Sequence, residues 1–565
     1  MPTTPLPNKS TRSSPDPSTD PSSTTPGITR RTLLTAGSAV GALGAGGAAL
    51  TAPGHAASTS TVASVRLTRQ ERRVVVVGSG FGGGVTALRL TQAGVPVTML
   101  ERGKRWGTGP NADTFARVSS LDNRALWHES VPSVFGQPLI APPHTGLLET
   151  VVGENMTVIN AAGLGGGSLA YQGMSLQPSA EVFAHEFPEA LDYHWMNRVH
   201  FRRVEQMLGL ATAPDALVNH KNYKVARVFA QKAKAAGYSV DKIPMPIDWS
   251  YAMRELTGEL KATYTNGDCS LGVNNGGKNT VDVTYVKAAE ATGLLEVRTL
   301  SNVRNVYRTR SGKWEVHVDH TDTSGKVLEQ FIITTPTLVM GAGSTGTSRL
   351  LVRAKALGHI TDLPDELGTN WGSNADQIYT WTSLFDNFGP VQGGPVVYGS
   401  KQWSNPATAN TVIQASMPPI MAGINSNSPS FGPGTTILVG YGVSSTRGKF
   451  VYDAKKDDAI LRWPRNGDSA TADRLHARIK KVAGLGSMLL NTTKIMPNTW
   501  HPLGGAAMGT VCDLEGRVQG QQGLYVLDGA LLPGTAAACN PSMTIAAIVE
   551  RAMDKIVASD VGTLI

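Results

Sequence analysis

A strand, a glycine-rich turn and a helix follow one another directly near residue 80, and this succession constrains the fold more than any other feature. Residues 72–77 end in four consecutive valines, which is typical of a strand buried on both faces of a parallel sheet. Residues 78–84 are glycine-rich, and residues 85–93 have a helical pattern that Gly94 ends. Residues 95–100 form a second apolar run. Together these segments predict one βαβ unit.

The turn has the spacing Gly78-x-Gly80-x-x-Gly83. The first glycine permits a tight turn, the second lets a pyrophosphate approach the backbone, and the third lets helix and strand pack closely. The helix N-terminus then faces negative charge. Glu101, at the end of the second strand, has a carboxylate that can accept both ribose hydroxyls of an adenosine. The motif therefore predicts a dinucleotide site, but it does not by itself separate FAD from NAD.

A second glycine-rich segment lies at residues 162–169, Ala-Gly-Leu-Gly-Gly-Gly-Ser-Leu. Unhindered amides of this kind can approach a flat ring or a phosphate closely. Taken alone, the segment is equally compatible with a flexible loop.

Two polar residues near the C-terminus stand directly before prolines. His501 precedes Pro502 and a glycine pair, and Asn540 precedes Pro541 and a predicted helix. Oxidation of an alcohol requires a proton to leave oxygen and a hydride to leave carbon. A histidine can accept or orient that hydroxyl, and a carboxamide can bind the same oxygen. The chain has 12 histidines, and most histidines in proteins have structural roles. The His-Pro-x-Gly-Gly context favours a catalytic role for His501.

Composition excludes several classes. With 41% apolar and 17% charged residues over 565 positions, the chain is globular and long enough for two domains. A net charge of +8 without a long Lys/Arg run predicts a mildly basic surface and no nucleic-acid partner. The cysteines Cys269, Cys512 and Cys539 have no metal-binding spacing, so no metal site and no disulfide framework are predicted.

The first 57 residues are predicted to be a leader. Residues 1–28 are rich in Ser, Thr and Pro, and Arg30-Arg31 precedes a Gly/Ala-rich apolar stretch. This pattern predicts a twin-arginine export signal and a secreted protein. A short membrane anchor is the alternative, which the many glycines disfavour.

Further along the chain, helices are predicted near residues 219–236, 284–292 and 542–559. A hairpin-like pair is predicted at 303–308 and 314–319, followed by a strand at 330–334. A second strand-to-glycine-turn junction is predicted at 337–344, and an antiparallel sheet at 373–464.

These motifs, in this order, resemble those of the glucose-methanol-choline (GMC) oxidoreductases over roughly residues 72–560. Within that family, residues 338–354, 368–372 and 447–454 are most similar to the class I bacterial cholesterol oxidases. The resemblance implies an α/β fold: a Rossmann-like FAD-binding domain (72–175, 265–370 and 495–565) and a discontinuous α+β substrate-binding domain (176–264 and 371–494) built on an antiparallel sheet. It also implies FAD held non-covalently.

The resemblance also implies the site residues. His501 and Asn540 take the catalytic positions. The cofactor-binding positions, including those of the glycine motif, are Gly78, Gly80, Phe81, Gly82, Gly83, Glu101, Gly167, Met174, Val303, Asp528 and Gly529. Phe81 replaces the tyrosine usual in the family, and Val303 is expected to contact the adenine through its backbone.

The implied reaction is oxidation of a secondary alcohol, the 3-hydroxyl of a sterol such as cholesterol, to a ketone, with O2 reduced to H2O2. A bulky apolar alcohol other than a sterol is also compatible, and a transient contact with a membrane surface is expected. The family glutamate that shuttles a proton during double-bond migration aligns with Ser416. We therefore expect alcohol oxidation without strong isomerisation.

Two alternatives remain open at this level. One is a flavin dehydrogenase that acts on another bulky alcohol and uses an acceptor other than O2. The other is a flavin-containing sterol-binding protein with little turnover, which the departures at Tyr171, Ser416 and Ser542 suggest and the presence of both His501 and Asn540 disfavours.

Overall fold

The computed structural model describes residues 65–118, 120–134, 137–416 and 433–565. The predicted leader and export signal lie outside the described residues, as do residues 417–419 of the segment that was aligned around Ser416. In the described part of the chain, no helix is long and apolar enough to cross a membrane.

The strands are, in chain order, β1 Arg66–Glu71, β2 Val74–Val77, β3 Val97–Leu100, β4 Ser133–Val134, β5 Gln137–Pro138, β6 Leu148–Val152, β7 Thr157–Ala161, β8 Asp241–Lys242, β9 Leu295–Arg298, β10 Ser301–Arg308, β11 Trp314–Thr321, β12 Val327–Thr335, β13 Thr337–Met340, β14 Gln377–Ser383, β15 Tyr398–Gln402, β16 Asn410–Ala415, β17 Thr435–Gly442, β18 Lys449–Asp453, β19 Asp458–Arg462, β20 Ser487–Asn491, β21 Asn498–Thr499 and β22 Leu524–Val526.

The α-helices are α1 Phe81–Gln92, α2 Gly167–Ala170, α3 Ala180–Glu186, α4 Tyr193–Met196, α5 Arg202–Leu208, α6 Asp215–Asn219, α7 Lys224–Ala235, α8 Trp249–Leu256, α9 Lys287–Glu290, α10 Gly343–Ala356, α11 Ser469–Ala483, α12 Thr492–Ile495 and α13 Ser542–Ser559. A π-helical turn, Asn197–Phe201, joins α4 to α5, and another, Asp282–Val286, leads into α9.

A five-stranded parallel sheet forms the nucleotide-binding half, in the order β22-β13-β2-β3-β9. Strands β2 and β13 are buried at every position, as expected for strands covered on both faces. The chain passes from β2 through α1 to β3 on one side, whereas β13 lies on the other side of β2. The carboxyl ends of β2 and β13 therefore border a crevice of the kind in which open α/β sheets bind ligands.

The glycines of the first turn permit close backbone contacts around this crevice. A Cβ on Gly82 would lie 1.8 Å from the Leu527 carbonyl oxygen, and a Cβ on Gly83 would lie 2.1 Å from the Gly78 carbonyl oxygen. Gly78 itself has a φ of 96°, in the left-handed region. Only glycine lets α1 begin so close to β2 and β22.

An antiparallel sheet forms the other half, in the order β20-β14-β17-β16-β15-β8. Side chains alternate between its faces, as the pleat requires. Tyr379, Trp381, Val412 and Leu438 pack with helices α7 and α11. The intervening residues Ile378, Ile413, Ile437 and Val439 face a cavity on the other side. This sheet and the parallel sheet confirm the predicted fold class.

Several elements differ in detail from the predictions. The helix predicted near 219–236 is confirmed as a 3-10 turn, Lys221–Tyr223, followed by α7. The helix predicted at 284–292 is a π turn followed by α9. The predicted strands at 303–308, 314–319 and 330–334 are confirmed as β10, β11 and β12.

The segment 373–464 does form antiparallel strands, but β8 and β20, which lie outside this segment, also join the sheet. The β18–β19 hairpin packs instead on α10, where Arg349 pairs with Asp458. The domain boundaries stay a prediction.

Candidate active site

A cavity of about 790 Å³ reaches from the crevice of the parallel sheet to the inner face of the antiparallel sheet. This is the size of a small-molecule or cofactor site. All the predicted site residues but one line it: Gly78, Gly80, Phe81, Gly82, Glu101, Gly167, Met174, Val303, His501, Asp528, Gly529 and Asn540. The exception, Gly83, packs against Gly78, in keeping with the packing role predicted for the third glycine.

Glu101 lies at the nucleotide end of the cavity. Its carboxylate accepts hydrogen bonds from the Ser79 hydroxyl at 2.6 Å and from the Gly103 backbone N–H at 2.8 Å. Burial raises the pKa of this carboxyl, and the two donors oppose that shift. Two donors leave further lone pairs on the oxygens, so the side chain can also accept a pair of ribose hydroxyls.

Asp528 joins the start of α10 to the segment that follows β22. Its Oδ2 accepts from the Gly343 backbone N–H at 2.9 Å and from the Thr347 hydroxyl at 2.5 Å, and its Oδ1 accepts from the Ala530 N–H at 2.7 Å. Burial raises the pKa of Asp528 to about 6. The residue after it, Gly529, forms part of the cavity wall. Asp528 therefore holds the ends of β13 and β22 together beside the nucleotide end.

The second glycine loop crosses in front of the first. A Cβ on Gly166 would lie 2.7 Å from the Gly80 Cα, whereas a Cβ on Gly167 would have no protein atom within 4 Å. The Ser168 hydroxyl fixes the loop, since it donates to Gly165 O at 2.7 Å and accepts from Val281 N at 2.9 Å. The loop therefore leaves open space, here called the glycine cradle, beside the N-terminus of α1.

His501 contacts an acid that the sequence analysis did not single out. Its Nδ1 lies 2.7 Å from Asp376 Oδ1, and the Asp376 side chain is only 4% exposed. Asp376 Oδ2 accepts from the Trp500 backbone N–H at 3.1 Å and from the Thr499 hydroxyl at 2.7 Å. The imidazole is therefore oriented by a buried carboxylate at the junction between the two halves of the cavity.

Backbone strain lies directly before Asp376. Asn374 and Ala375 have φ values of 57° and 54°, in the left-handed region that alanine seldom adopts. The polar run Ser373-Asn374-Ala375-Asp376, after the glycine-containing segment 368–372, was the available sequence signal. It could not be connected to His501 without the tertiary contact.

Asn540 is also fully engaged. Its Nδ2 donates to the Met174 carbonyl at 2.5 Å and to the Ser542 hydroxyl at 2.7 Å, while its Oδ1 accepts from the Leu176 N–H at 3.0 Å. Asn540 therefore ties the segment after the glycine loop to the start of α13. A substrate oxygen could receive one of its amide hydrogens only if an existing bond were exchanged.

The far end of the cavity is apolar. Val396 and the inward residues of β14, β16 and β17 line it, with Ser416 beside them. The Ser416 hydroxyl lies 3.8 Å from the buried Cys269 sulfur. Of the described residues that line this end, only Asp376 carries a carboxylate, and it is bound to His501. In the part of the chain that the structure describes, no cluster of three or more His, Cys, Asp or Glu side chains could hold a metal ion.

Comparisons with known proteins agree with this arrangement. The GMC oxidoreductase models match residues 143–370 and 467–548, and a model of the NAD(P)-binding Rossmann-like domain matches residues 76–149. The cholesterol oxidases of Mycobacterium tuberculosis (strain ATCC 25618 / H37Rv) and Acinetobacter baumannii are each 26% identical to this chain. The matches cover 85% of it and 90% and 94% of those proteins, respectively.

Two further matches broaden the comparison. The 2-methyl-1,2-propanediol dehydrogenase of Mycolicibacterium austroafricanum is 24% identical, over 86% of this chain and 94% of that protein. The crystal structure of pyridoxine 4-oxidase from Mesorbium loti superposes with a TM-score of 0.59 at 14% identity, covering 86% of this chain and 99% of that one. At that identity the superposition supports the fold alone.

The Rossmann-like crevice, the glycine cradle and the histidine on the cavity wall define an oxidoreductase with a dinucleotide-type binding domain. The chain belongs to the GMC oxidoreductase family, whose members are alcohol-oxidising flavoproteins. The resemblance inferred from the motifs is thus confirmed. The individual roles assigned to the site residues stay predictions.

Proposed function

We propose that the protein binds FAD non-covalently and oxidises the secondary hydroxyl of a sterol or similarly bulky apolar alcohol to a ketone, with O2 reduced to H2O2. The observation that carries the proposal is the division of one cavity. Its nucleotide end has the glycine cradle and Glu101, its far end is apolar, and His501 lies where the two ends meet. The similarity to the two cholesterol oxidases supports a sterol as the substrate.

The residues at the nucleotide end fit FAD. The open space beside Gly167 would hold the flat ring, the N-terminus of α1 would attract the pyrophosphate, and Glu101 would accept the ribose hydroxyls. Val303, on the cavity wall, would lie beside the adenine. When bound, FAD supplies the acceptor for a hydride from the alcohol carbon.

This chain's own residues would bind and deprotonate the alcohol. The apolar side chains of β14, β16 and β17 remove water from the hydrocarbon part of the substrate, which is favourable by about 25 cal/mol per Å² of buried apolar surface. His501 would accept the proton of the hydroxyl oxygen as the hydride leaves the carbon that bears this hydroxyl. The substrate becomes a ketone and the imidazole becomes protonated, while the hydride goes to the acceptor that FAD supplies. The imidazolium later releases its proton, which is consumed when O2 is reduced to H2O2.

Ser416 is the reason to propose that isomerisation is weak or lost. Double-bond migration needs a base that takes a proton from one carbon and returns it to another, and a serine hydroxyl is a poor base. The protein should therefore convert cholesterol to the 5-en-3-one and release it. Chromatography of the products decides this point, since formation of the 4-en-3-one at an enzymic rate would contradict it.

The decisive experiment begins with the visible spectrum of the purified protein. A flavin spectrum is expected, and cholesterol added without air should bleach it, whereas cholestane, which lacks the hydroxyl, should not. Readmission of air should restore the colour and yield one H2O2 per alcohol oxidised. A flavin that no bulky secondary alcohol reduces would refute the proposal.

A dehydrogenase is a second candidate because one relative is named 2-methyl-1,2-propanediol dehydrogenase. In that case the reduced flavin would persist in air and would reoxidise when a quinone or dye is added. The rate at which the reduced flavin reoxidises, with O2 or with the quinone, distinguishes the two acceptors. Small diols added in parallel test which size of substrate the protein accepts.

We also propose twin-arginine export and a transient contact with a membrane surface. Both rest on sequence alone: the leader carries Arg30-Arg31, and an apolar substrate would be drawn from a lipid phase. Appearance of the protein in the medium of a producing bacterium, and its loss when both arginines are replaced by lysine, would test the export step.

A further inference from the structure

The hydrogen bonds around Asp376 determine which nitrogen of His501 carries a hydrogen. The Trp500 backbone N–H can only donate, and it donates to Asp376 Oδ2. Thr499 supplies a second donor to the same oxygen. The other oxygen, Oδ1, lies 2.7 Å from Nδ1 of His501. An ionised carboxylate only accepts, so Nδ1 must be the donor in this short contact.

The other polar group near Nδ1 lies farther away. The Asn374 Nδ2 donates one of its two hydrogens to the Cys539 carbonyl at 2.9 Å, and it lies 3.5 Å from Nδ1, compared with 2.7 Å for Asp376 Oδ1. Its Oδ1 accepts from the Ala536 backbone N–H. The position of Asn374 is thus accounted for by backbone partners, and Asp376 is the nearest partner of the imidazole.

Three further titratable groups lie near His501, and their described hydrogen bonds go to other partners. Tyr441 meets the imidazole edge to face at 5.6 Å between ring centroids, and burial holds its pKa well above the usual value. Burial likewise raises the pKa of the Cys539 thiol. The Asp468 carboxylate accepts its hydrogen bonds from the hydroxyls of Ser373 and Ser444 and interacts electrostatically with Asp376 and Arg447.

We propose that Asp376 is a positioning residue: it keeps the hydrogen of neutral His501 on Nδ1, so that Nε2 faces the cavity unprotonated and accepts the proton of the substrate hydroxyl. In that step the O–H bond breaks and an Nε2–H bond forms, while the hydride leaves the carbinol carbon for the flavin. The positive charge that develops on the imidazole lies next to the Asp376 carboxylate. The proposal rests on the proposed alcohol oxidation. It adds that Nε2 of His501 receives the hydroxyl proton and that Asp376 orients the imidazole.

Replacement of Asp376 by Asn tests the assignment because the geometry of the amide is forced. The Trp500 N–H requires the amide oxygen at the Oδ2 position, which turns the NH2 group toward Nδ1. His501 must then accept at Nδ1 and carry its hydrogen on Nε2, where it points at the substrate and cannot take a proton. The analogous change in a serine protease triad lowers kcat by about 10,000-fold.

For Asp376→Asn we expect the anaerobic rate of flavin reduction to fall by roughly 100-fold to 10,000-fold, while KM changes less than about threefold. Asp468→Asn is the matched control, since it removes a neighbouring buried carboxylate that does not touch His501. Its rate should stay within about threefold of the wild type. An Asp376→Asn variant that keeps the wild-type rate would overturn the proposal.

A readout that needs no turnover is the ¹⁵N spectrum of histidine-labelled holoenzyme at neutral pH, with the His501 signals assigned from their absence in His501→Gln. The wild type should show a protonated Nδ1 and an unprotonated Nε2, and Asp376→Asn should show the reverse. If the variant loses FAD, the wild-type spectrum by itself tests the assignment, because a hydrogen on Nε2 of neutral His501 would overturn it. A confirmed tautomer in a protein that oxidises no alcohol would instead refute the proposed function and leave this orientation standing.

Discussion

Asp528 and Gly343 meet across the carboxyl ends of two adjacent parallel strands, where Oδ2 of the aspartate accepts the backbone N–H of Gly343 at 2.9 Å. One residue follows β22 and the other begins α10 after β13, so this contact fixes the point at which the nucleotide-binding crevice opens. Because the Thr347 hydroxyl and the Ala530 N–H also donate to this carboxylate, its oxygens face donors on both sides.

Asp528→Asn should therefore destabilise the protein. Whichever way the amide turns, its NH2 group faces at least one donor, and a buried donor without an acceptor costs about 1–3 kcal/mol. We expect a lower melting temperature and weaker retention of FAD, measured by thermal unfolding and by gel filtration at 450 nm. Asp365→Asn, at an exposed position, is the control and should change neither value. An unchanged melting temperature for Asp528→Asn would contradict this reading.

Gly167→Ala should separate the fold from the cofactor. The added Cβ would meet no protein atom within 4 Å, so the unfolding temperature of the flavin-free protein should not change. The methyl group would project into the cradle, and we expect the Kd for FAD to rise at least about tenfold, which corresponds to about 1.4 kcal/mol. Titration of the apoprotein with FAD measures this. Gly107→Ala, also in open space but away from the cavity, should bind FAD as the wild type does.

Lys278 should make stability depend on pH. Its buried amine donates to the carbonyls of Leu169 and Tyr171, and burial lowers its pKa to about 7. In the unfolded chain the pKa returns to about 10.4, so between these values the unfolded state binds more protons and the free energy of unfolding rises with pH. The destabilising contribution of Lys278 is thus largest below pH 7 and is lost as the pH rises.

The test compares wild type with Lys278→Met at pH 7.5 and pH 9. The wild type should gain about 1–2 kcal/mol relative to the variant over this interval. The exposed Lys480→Met should show a difference from the wild type that does not change with pH. Equal differences at both pH values for Lys278→Met would show that the amine remains charged in the folded protein.

His501→Gln should lower the rate constant for anaerobic flavin reduction by about 100-fold to 10,000-fold, since loss of a positioned base has effects of this size. The visible spectrum should show that FAD remains bound, because the contacts predicted for the cofactor come from other residues. His185→Gln, at a surface position, should leave the rate unaltered. A variant that reduces its flavin at the normal rate would remove His501 from the mechanism.

Local features explain which predictions succeeded. The strand, glycine turn and helix around Gly78 are determined by residues adjacent in sequence, so the βαβ unit and its crevice could be read from the pattern. The helix Ser542–Ser559 was predicted with the same ends for the same reason. The GMC motifs also identified the positions that border the cavity, since all but Gly83 line it.

Contacts between distant segments explain what was missed. Asp376 lies directly before β14 and meets His501 only because the antiparallel sheet packs against the C-terminal segment. Likewise, β8 joins that sheet from another part of the chain, and the β18–β19 hairpin packs on α10. Neither hydrophobic period nor turn chemistry encodes such partners.

The sequence by itself determined the class of fold and the family, and it singled out His501 and Asn540, which line the cavity, because short-range backbone geometry and motif spacing depend on neighbouring residues. Only the tertiary structure decided that Asp376 lies 2.7 Å from Nδ1 of His501 and that Asn540 donates to the Met174 carbonyl. The physical reason is that a hydrogen bond forms or fails over differences of a few tenths of an ångström in the donor–acceptor distance. The packing of the two sheets sets these distances.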